Sequence, residues 1–452
     1  MLLEQETIAA IATPPGRGAI AIVRISGPAT REIAARVFRS ARLLRPRHAT
    51  GGEIIDAAGE RIDEGLALFF PAPHSYTGED VLELHVHGSP AVAREVLIAA
   101  FAAGARLAGP GEFTRRAFVH GKIDLASAEA VAELISAENV AAVRAAAAGL
   151  SGGLAREVDA MRAALAEVLE ELAAAIDFPD EVETPPAERL AERIGAIRSR
   201  IGGLAATWER GRVVREGAAV AIVGPPNAGK SSLLNALLGD ERALVSESPG
   251  TTRDTIEEIL ALDGATFRLI DTAGIRAHTD RLEAAGIERT ERALESARVA
   301  LVVVDGAVRL SSEARELLRR TRIRERIVLF NKSDLGDAGY EEREPPERDA
   351  LFGSARDGPT LNAVRDALTS LVAASETIDL SLPHLGTARQ ADAALEADRA
   401  LAYAQETLNS GAPADLISGD LMRAVRALGE LTGREADERL LDAIFARFCI
   451  GK

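Results

Sequence analysis

Gly224-Pro225-Pro226-Asn227-Ala228-Gly229-Lys230-Ser231 is the stretch on which the reading of this chain turns. It fits the pattern G-x-x-x-x-G-K-[ST], in which glycines let successive backbone N–H groups wrap phosphate oxygens. Lys230 supplies a point positive charge to the β and γ phosphates, and the Ser231 hydroxyl is placed to ligate Mg²⁺. The context is the confirming one: an apolar strand-like run, Ala219–Val223, precedes the loop, and helical text over Ser232–Leu238 follows it.

Working outward, three more motifs follow in the order a guanine-nucleotide site requires. Asp271-Thr272-Ala273-Gly274 ends the apolar run Phe267–Ile270; its carboxylate suits a water-mediated hold on Mg²⁺, and its glycine amide suits the γ-phosphate. Asn331-Lys332-Ser333-Asp334 ends the run Ile327–Phe330. Asp334 can accept from both guanine N1–H and the exocyclic amine. Adenine lacks that pattern, so a buried carboxylate there would reject ATP. Ser354-Ala355-Arg356 fits the loop that supports the base. Gly250-Thr251-Thr252-Arg253-Asp254 stands where a switch segment belongs, with Thr252 as a second Mg²⁺ hydroxyl.

The residue after Asp271–Gly274 is Ile275, which cannot orient an attacking water as a glutamine does in Ras-like proteins. Another group must act. Glu283 is one acidic candidate, and a solvated helical face is the alternative reading of it. Asn227 offers an amide oxygen for a monovalent cation.

The runs Ala219–Val223, Phe267–Ile270, Val299–Val304 and Ile327–Phe330, separated by helical text, predict a mostly parallel α/β sheet over residues 216–376. Helical text flanks it on both sides, which predicts one helical domain split by the insertion: residues 121–215 and 377–452. From Leu125 to Ile176 the alanine-rich text reads as one long amphipathic helix. Residues 1–120 mix strands (Ala19–Ile25, Gly65–Phe70, Val81–Val86) with helix, an α+β pattern. The fold expected is therefore multidomain.

Composition narrows the classes. Net charge is −16, which excludes a broad basic face that coats nucleic acid, though not a local RNA site. One cysteine, Cys449, rules out a disulfide within the chain and suits a reducing cytoplasm. No window is apolar enough for a membrane span, and the acidic start Met1–Glu6 is unlike a secretory signal. His85 and His87 share one face of a strand, but no third ligand follows nearby, so they are read as ordinary histidines rather than metal ligands.

Motifs outside the nucleotide loops complete a second pattern. Thr13-Pro-Pro-Gly-Arg-Gly18, Arg24-Ile-Ser-Gly27, Gly78-Glu-Asp-Val-Leu-Glu83-Leu84, Pro110-Gly-Glu-Phe113, Gly121-Lys122-Ile-Asp-Leu125, Asp177-Phe-Pro-Asp-Glu181 and the terminal Phe448-Cys449-Ile450-Gly451-Lys452 occur in order around the phosphate loop. Together they resemble the tRNA modification GTPase family, MnmE (also called TrmE), over essentially the whole chain.

The resemblance implies a G domain of Ras-like, TrmE-Era-EngA type inserted in a helical domain, behind an N-terminal domain (1–120) that binds folate and makes a homodimer. It implies a potassium-dependent GTPase that works with the flavoprotein MnmG (GidA), the FAD residing in that partner. The product is a 5-carboxymethylaminomethyl or aminomethyl group on the wobble uridine of certain tRNAs, with 5-formyl- or 5,10-methylene-tetrahydrofolate as one-carbon source. By position the family's GTP contacts fall on Asn227, Ala228, Gly229, Lys230, Ser231 and Ser232; on Ser246, Glu247, Ser248, Pro249, Gly250, Thr251 and Thr252; on Asp271, Thr272, Ala273 and Gly274; and on Asn331, Lys332, Asp334, Ser354, Ala355 and Arg356. Its Mg²⁺ ligands map to Ser231 and Thr252, its K⁺ ligands to Asn227, Ser246, Ser248 and Thr251, its general base to Glu283, and its folate contacts to Arg24, Glu83, Lys122 and Lys452. Cys449 is implied to lie beside the folate, as a chemical group or as a buried structural thiol. The rival classes are a ribosome-assembly GTPase and a GTP-regulated dimerisation module whose chemistry resides in a partner.

Overall fold

The computed structural model describes residues 6–137, 139–239, 257–262, 265–271, 291, 293–295, 297–322, 325–338, 350–374 and 382–452. The chain forms two compact units: residues 1–135, 146–205 and 383–452 make the first, and residues 136–145 with 206–382 make the second.

The first unit opens with β1 (Ile8–Ile11), β2 (Ile20–Ser26), β3 (Phe38–Arg39), β4 (Thr50–Ile55), β5 (Arg61–Phe70), β6 (Val81–His87) and β7 (Arg106–Leu107). They form one sheet in the order β3-β4-β5-β6-β2-β1-β7, antiparallel except for the β1–β7 pair. Alternation sorts each strand's residues by face. Val23 and Ile25 of β2, and Leu82, Leu84 and Val86 of β6, pack with the helices Thr30–Val37 and Pro90–Ala102 in a closed core. The intervening residues, among them Arg24 and Glu83, take the other face, where they pair across the strands.

The chain from Leu125 to Ile176 does not form one helix, and it crosses between the two units. It breaks into Leu125–Ser136, Val140–Gly149 and Gly153–Asp177. The alanines carry helix propensity throughout, but Ser151-Gly152-Gly153 lacks the side chains that would hold a helix, and Gly152 takes φ 69. In the last of the three, Leu154, Val158, Met161, Leu165, Val168, Leu172 and Ala175 recur at alternating steps of four and three and are all buried. That stripe packs on Ala414–Thr432, which packs in turn on Ala388–Asn409. Each fully buried Leu or Val contributes about 1.5–3 kcal/mol.

A buried carboxylate ties the early and late helices together. Glu129 receives two parallel bonds from Arg389, both 2.7 Å, and a third from Gln390 at 2.7 Å. The bidentate geometry satisfies the charge that burial would otherwise penalise.

The second unit holds β8 (Ala218–Val223), β9 (Glu257–Leu262), β10 (Ala265–Asp271), β11 (Val299–Asp305), β12 (Arg326–Asn331) and β13 (Leu351–Phe352), in the order β13-β12-β11-β8-β10-β9. All pairs are parallel except β9–β10. The central β8 and β11 are buried on both faces, as their unbroken apolar text requires. One face packs under the helices Lys230–Leu238 and Gly358–Ala374, the other beside Ser312–Thr321.

Candidate functional site

Five parallel strands of the second unit bring the site residues together at their carboxyl ends, the position where α/β sheets bind ligands. β8 ends in the loop at Gly224, β11 in Asp305, β12 in Asn331, and β13 leads into Gly353–Arg356. Asp271 ends β10 and pairs in register with Ile222 of β8.

Asn331 connects the loops. Its side-chain N–H donates to the Ala228 carbonyl at 2.9 Å, and its side-chain oxygen accepts from the Ala355 N–H at 2.8 Å. Asn331 is 3% exposed, so both bonds are shielded from water. One buried amide thereby fixes the phosphate loop against the base-supporting loop. Gly229 makes room for it: the backbone there has φ 97, and a β carbon would lie 2.2 Å from the Asn331 amide nitrogen. Gly229 is thus needed for its conformation and for its lack of a side chain.

Lys332 follows with φ 67 and ion-pairs with Asp305 at 2.7 Å, while the Asp305 carboxylate also accepts from the Ala307 N–H. Asp305 is not among the residues expected from sequence. Its one signal is a carboxylate closing an otherwise apolar strand. The Lys230 ammonium lies over the loop, donating to the carbonyls of Gly224 (2.7 Å) and Pro225 (2.9 Å). Ser231 and Ser232 are exposed at the start of their helix, and Asn227 is exposed with φ 62. Ser354 and Ala355 are buried, and Asp357 holds the Ser354 N–H and caps the next helix through the Thr360 N–H. Pro359 sits in the first turn of that helix, where its missing N–H costs nothing. Asp334 and Arg356 are exposed; the burial expected of the Asp334 carboxylate is not supplied by the protein itself, because the chain turns outward over residues 333–335.

Ser246, Glu247, Ser248, Pro249, Gly250, Thr251, Thr252, Thr272, Ala273, Gly274 and Glu283 lie outside the described residues.

A second polar cluster lies on the open face of the first unit's sheet. Arg24 of β2 and Glu83 of β6 are cross-strand partners and ion-pair at 2.9 Å, each 17% exposed at the side chain. The guanidinium lies between two rings, 5.7 Å from the centroids of both Tyr76 and Phe113, and donates to the Gly451 carbonyl at 3.4 Å. The terminal segment is stitched beside it: the Gly111 N–H donates to Cys449 O at 3.4 Å and the Phe113 N–H to Lys452 O at 3.2 Å. Gly451 has φ 99, and a β carbon there would lie 2.4 Å from the Ile11 carbonyl oxygen. Burial and the Arg24 charge push the Lys452 ammonium below the usual lysine range, against the opposing pull of Glu83 and Cys449. The cluster brings Arg24, Glu83 and Lys452 together.

Lys122 is engaged otherwise, donating to the Pro73 carbonyl at 3.0 Å. Cys449 is exposed, which removes the buried-thiol reading. His85 and His87 bond to Glu83 (3.4 Å) and Asp63 (2.8 Å), and no group of metal-ligating side chains occurs among the described residues.

An ion network completed only by the fold joins three segments: Glu112 and Arg116 stand one turn apart on one helix, and Glu79 and Arg106 reach them from a loop and a strand. Arg116 pairs with Glu79 (3.0 Å) and Glu112 (2.8 Å), Glu112 with Arg106 (2.6 Å), and Ser26 donates to Glu79 at 2.7 Å. Burial raises the Glu112 carboxyl, but bonds from Arg106, the Gly109 N–H and Arg116 outweigh it and hold the pKa at about 2.

Two family models match this chain. One, described as the GTP-binding protein TrmE N-terminus, covers residues 7–122; the other, the MnmE helical domain, covers residues 125–449. The tRNA modification GTPase MnmE of Chloroflexus aurantiacus is 45% identical over 452 residues, spanning 99% of this chain and 100% of that protein. The protein of the same name from Thermotoga maritima is 40% identical over 453 residues, again 99% and 100%. Among solved structures, the G domain of the T. maritima FeoB iron transporter is 25% identical, covering 34% of this chain and 98% of that one, with a TM-score of 0.26.

Proposed function

Because this chain belongs to the MnmE family of tRNA modification GTPases, we propose that it is the potassium-dependent, homodimeric GTPase that builds the 5-carboxymethylaminomethyl or aminomethyl group on the wobble uridine of certain tRNAs, with the flavoprotein MnmG as partner. In this reading residues 216–376 are the GTPase domain, 121–215 and 377–452 the helical domain, and 1–120 the folate-binding domain. Ser231 and Thr252 hold Mg²⁺; Asn227, Ser246, Ser248 and Thr251 hold K⁺; Glu283 positions the attacking water. Specificity for GTP rests on Asp334, whose carboxylate accepts from guanine and finds no partner on adenine. The chain works in the cytoplasm, where its tRNA substrate is found. Among the described residues no helix is long and apolar enough to cross a membrane.

The observation that carries the folate part is the convergence of Arg24, Glu83 and Lys452 from three distant parts of the sequence. A guanidinium and an ammonium suit a glutamate-tailed ligand, and a carboxylate suits the ring donors of a pterin. Bound folate supplies the one-carbon unit; Arg24 and Lys452 anchor its carboxylates, and Tyr76 and Phe113 keep the guanidinium in place.

The test is the modified-nucleoside profile of tRNA from cells lacking this chain, which is expected to lose the C5 substituent on wobble uridine. An unchanged profile overturns the assignment. In the same cells, restoring the chain with Arg24→Ala is expected to leave the profile deficient although GTP turnover by the purified variant is normal.

A further inference from the structure

Between Thr30 and Thr50 the chain carries Arg31, Arg36, Arg39, Arg42, Arg45, Arg47 and His48 against a single carboxylate, Glu32. In a chain of net charge −16 this is a local reversal of sign. All six arginines are exposed. They lie on the helix Thr30–Val37, on the edge strand β3 and on the irregular connection into β4.

Folding does not account for the whole set. Arg31 pairs with Asp80 at 2.7 Å, Arg36 reaches the Ala103 carbonyl at 3.4 Å, and Arg47 donates to the His74 carbonyl and lies over Phe70. Arg39 shares Glu53 with Arg61, each at a loose 3.7 Å. The side chains of Arg42 and Arg45 make neither a hydrogen bond nor an ion pair among the described residues. Like charges held this close repel each other, so an arm of this composition costs stability unless an anion meets it. Guanidinium groups match phosphate oxygens in pairs.

We propose that this arm is the docking surface for the phosphate backbone of the tRNA substrate, an inference that rests on the tRNA-modifying function proposed above. Its place in the sheet favours RNA over an anionic membrane. β3 is the edge strand, and β6 and β2, which carry Glu83 and Arg24, are the third and fourth strands inward from it. At about 4.8 Å per strand the β3 end of the arm lies roughly 15–20 Å from that cluster, while its far end, at Pro46 and Arg47, bonds to Phe69 of β5, the neighbour of β6. Arg31 and Arg36 belong to the helix on the other face, but Arg47 lies over Phe70, which is in register with Val81 on the face that carries Glu83. A stem whose phosphates rest on Arg42, Arg45 and Arg47 can therefore place a loop nucleotide over Arg24 and Glu83. Stable membrane anchoring adds an apolar face to a basic patch, and the arm offers one largely exposed apolar side chain, Leu43 at 84%.

The experiment uses the full chain and an unmodified tRNA transcript, with affinity followed by fluorescence anisotropy across a KCl series. The variants are Arg42→Ala/Arg45→Ala and Arg42→Lys/Arg45→Lys. The alanine pair is expected to bind about tenfold more weakly at near-physiological salt, with the slope of log affinity against log salt shallower by roughly 1.4–1.8, as the loss of two phosphate contacts requires. The lysine pair is expected to keep most of the affinity and slope, and GTP turnover is expected to be unchanged in both. Wild-type affinity and slope in the alanine pair overturn the arm while leaving the tRNA function standing. Absence of salt-dependent tRNA binding by the wild-type chain overturns both. Loss of binding to phosphatidylserine vesicles with tRNA affinity intact assigns the arm to membranes and overturns the proposal.

Discussion

The two polar clusters are built in opposite ways. The phosphate-loop cluster is assembled from short contiguous motifs at the ends of adjacent strands, and much of its bonding is to backbone. The Arg24 cluster is assembled from side chains brought together over long sequence distances: Arg24 meets Glu83 across a strand pair and Gly451 from the far end of the chain. The first kind of site depends on local conformation. The second depends on the fold being closed around it. A substitution should therefore spread its effect differently in each.

The sharpest way to break this contrast is at Lys230. Lys230→Ala removes the side-chain charge nearest the loop carbonyls. Charged hydrogen bonds of this kind are worth about 1.5–3 kcal/mol each, so GTP affinity measured by calorimetry is expected to fall about a hundredfold or more while folate affinity stays as it was. Loss of both would show that the clusters are not independent.

Gly451→Ala probes the other side. The new methyl would meet the Ile11 carbonyl in a backbone conformation that disfavours any side chain, so the tail must shift. Strain of about 1–3 kcal/mol is expected to weaken binding of 5-formyl-tetrahydrofolate roughly tenfold or more, with GTP turnover unaffected. An intact folate affinity would mean that the tail is not part of that site.

Asn331→Ala tests whether the local site is as local as it looks, since this one amide spans two loops. Leaving the Ala228 carbonyl and the Ala355 N–H unsatisfied costs about 1–3 kcal/mol. GTP affinity should fall by roughly that amount, and Asn331→Asp should fail to restore it, because a carboxylate cannot donate to Ala228.

The smallest effect is expected in acid. Glu112 is held at about 2, below its ordinary 4.5. A depressed carboxylate contributes stability that is fully present above its unfolded pKa and is lost as pH falls toward the folded one. The urea midpoint of the first unit should therefore be lowered by Glu112→Gln at pH 6 and lowered less at pH 2, where half of the carboxylate is already protonated. Equal differences at both pH values would remove Glu112 from the acid response.

The same contrast explains what the sequence can reveal. β8, β10, β11 and β12 are legible because unbroken apolar runs closed by motif residues have few alternative readings. β9 is not: Glu-Glu-Ile-Leu-Ala-Leu has no strict alternation, and its strand character comes from pairing with β10. The break at Ser151–Gly153 is hidden by the alanines on both sides. Asn331 is readable as part of a nucleotide motif, but its role as a bridge depends on where Ala228 and Ala355 come to rest. Arg24, Glu83 and Lys452 stand out only through family resemblance. In the Glu79–Arg116–Glu112–Arg106 network only the Glu112–Arg116 pair, one helical turn apart, carries a sequence signal; Glu79 and Arg106 look solvated until their own segments meet that helix.

The Glu129–Arg389 clamp has a consequence for biosynthesis. The helix Gly153–Asp177 carries a buried stripe whose partner helices begin at Ala388, roughly two hundred residues later. At about 5–20 residues per second, ribosomal synthesis leaves that helix for roughly 10–40 s with only the helix Ala187–Glu216, ion-paired to it through Arg193 and Arg200, beside it. Over that interval the half-built bundle is a sticky intermediate. A chaperone that covers Val158, Leu165 and Leu172 would have to release them on the arrival of Arg389, and slow codons in the inserted unit would lengthen the hazard.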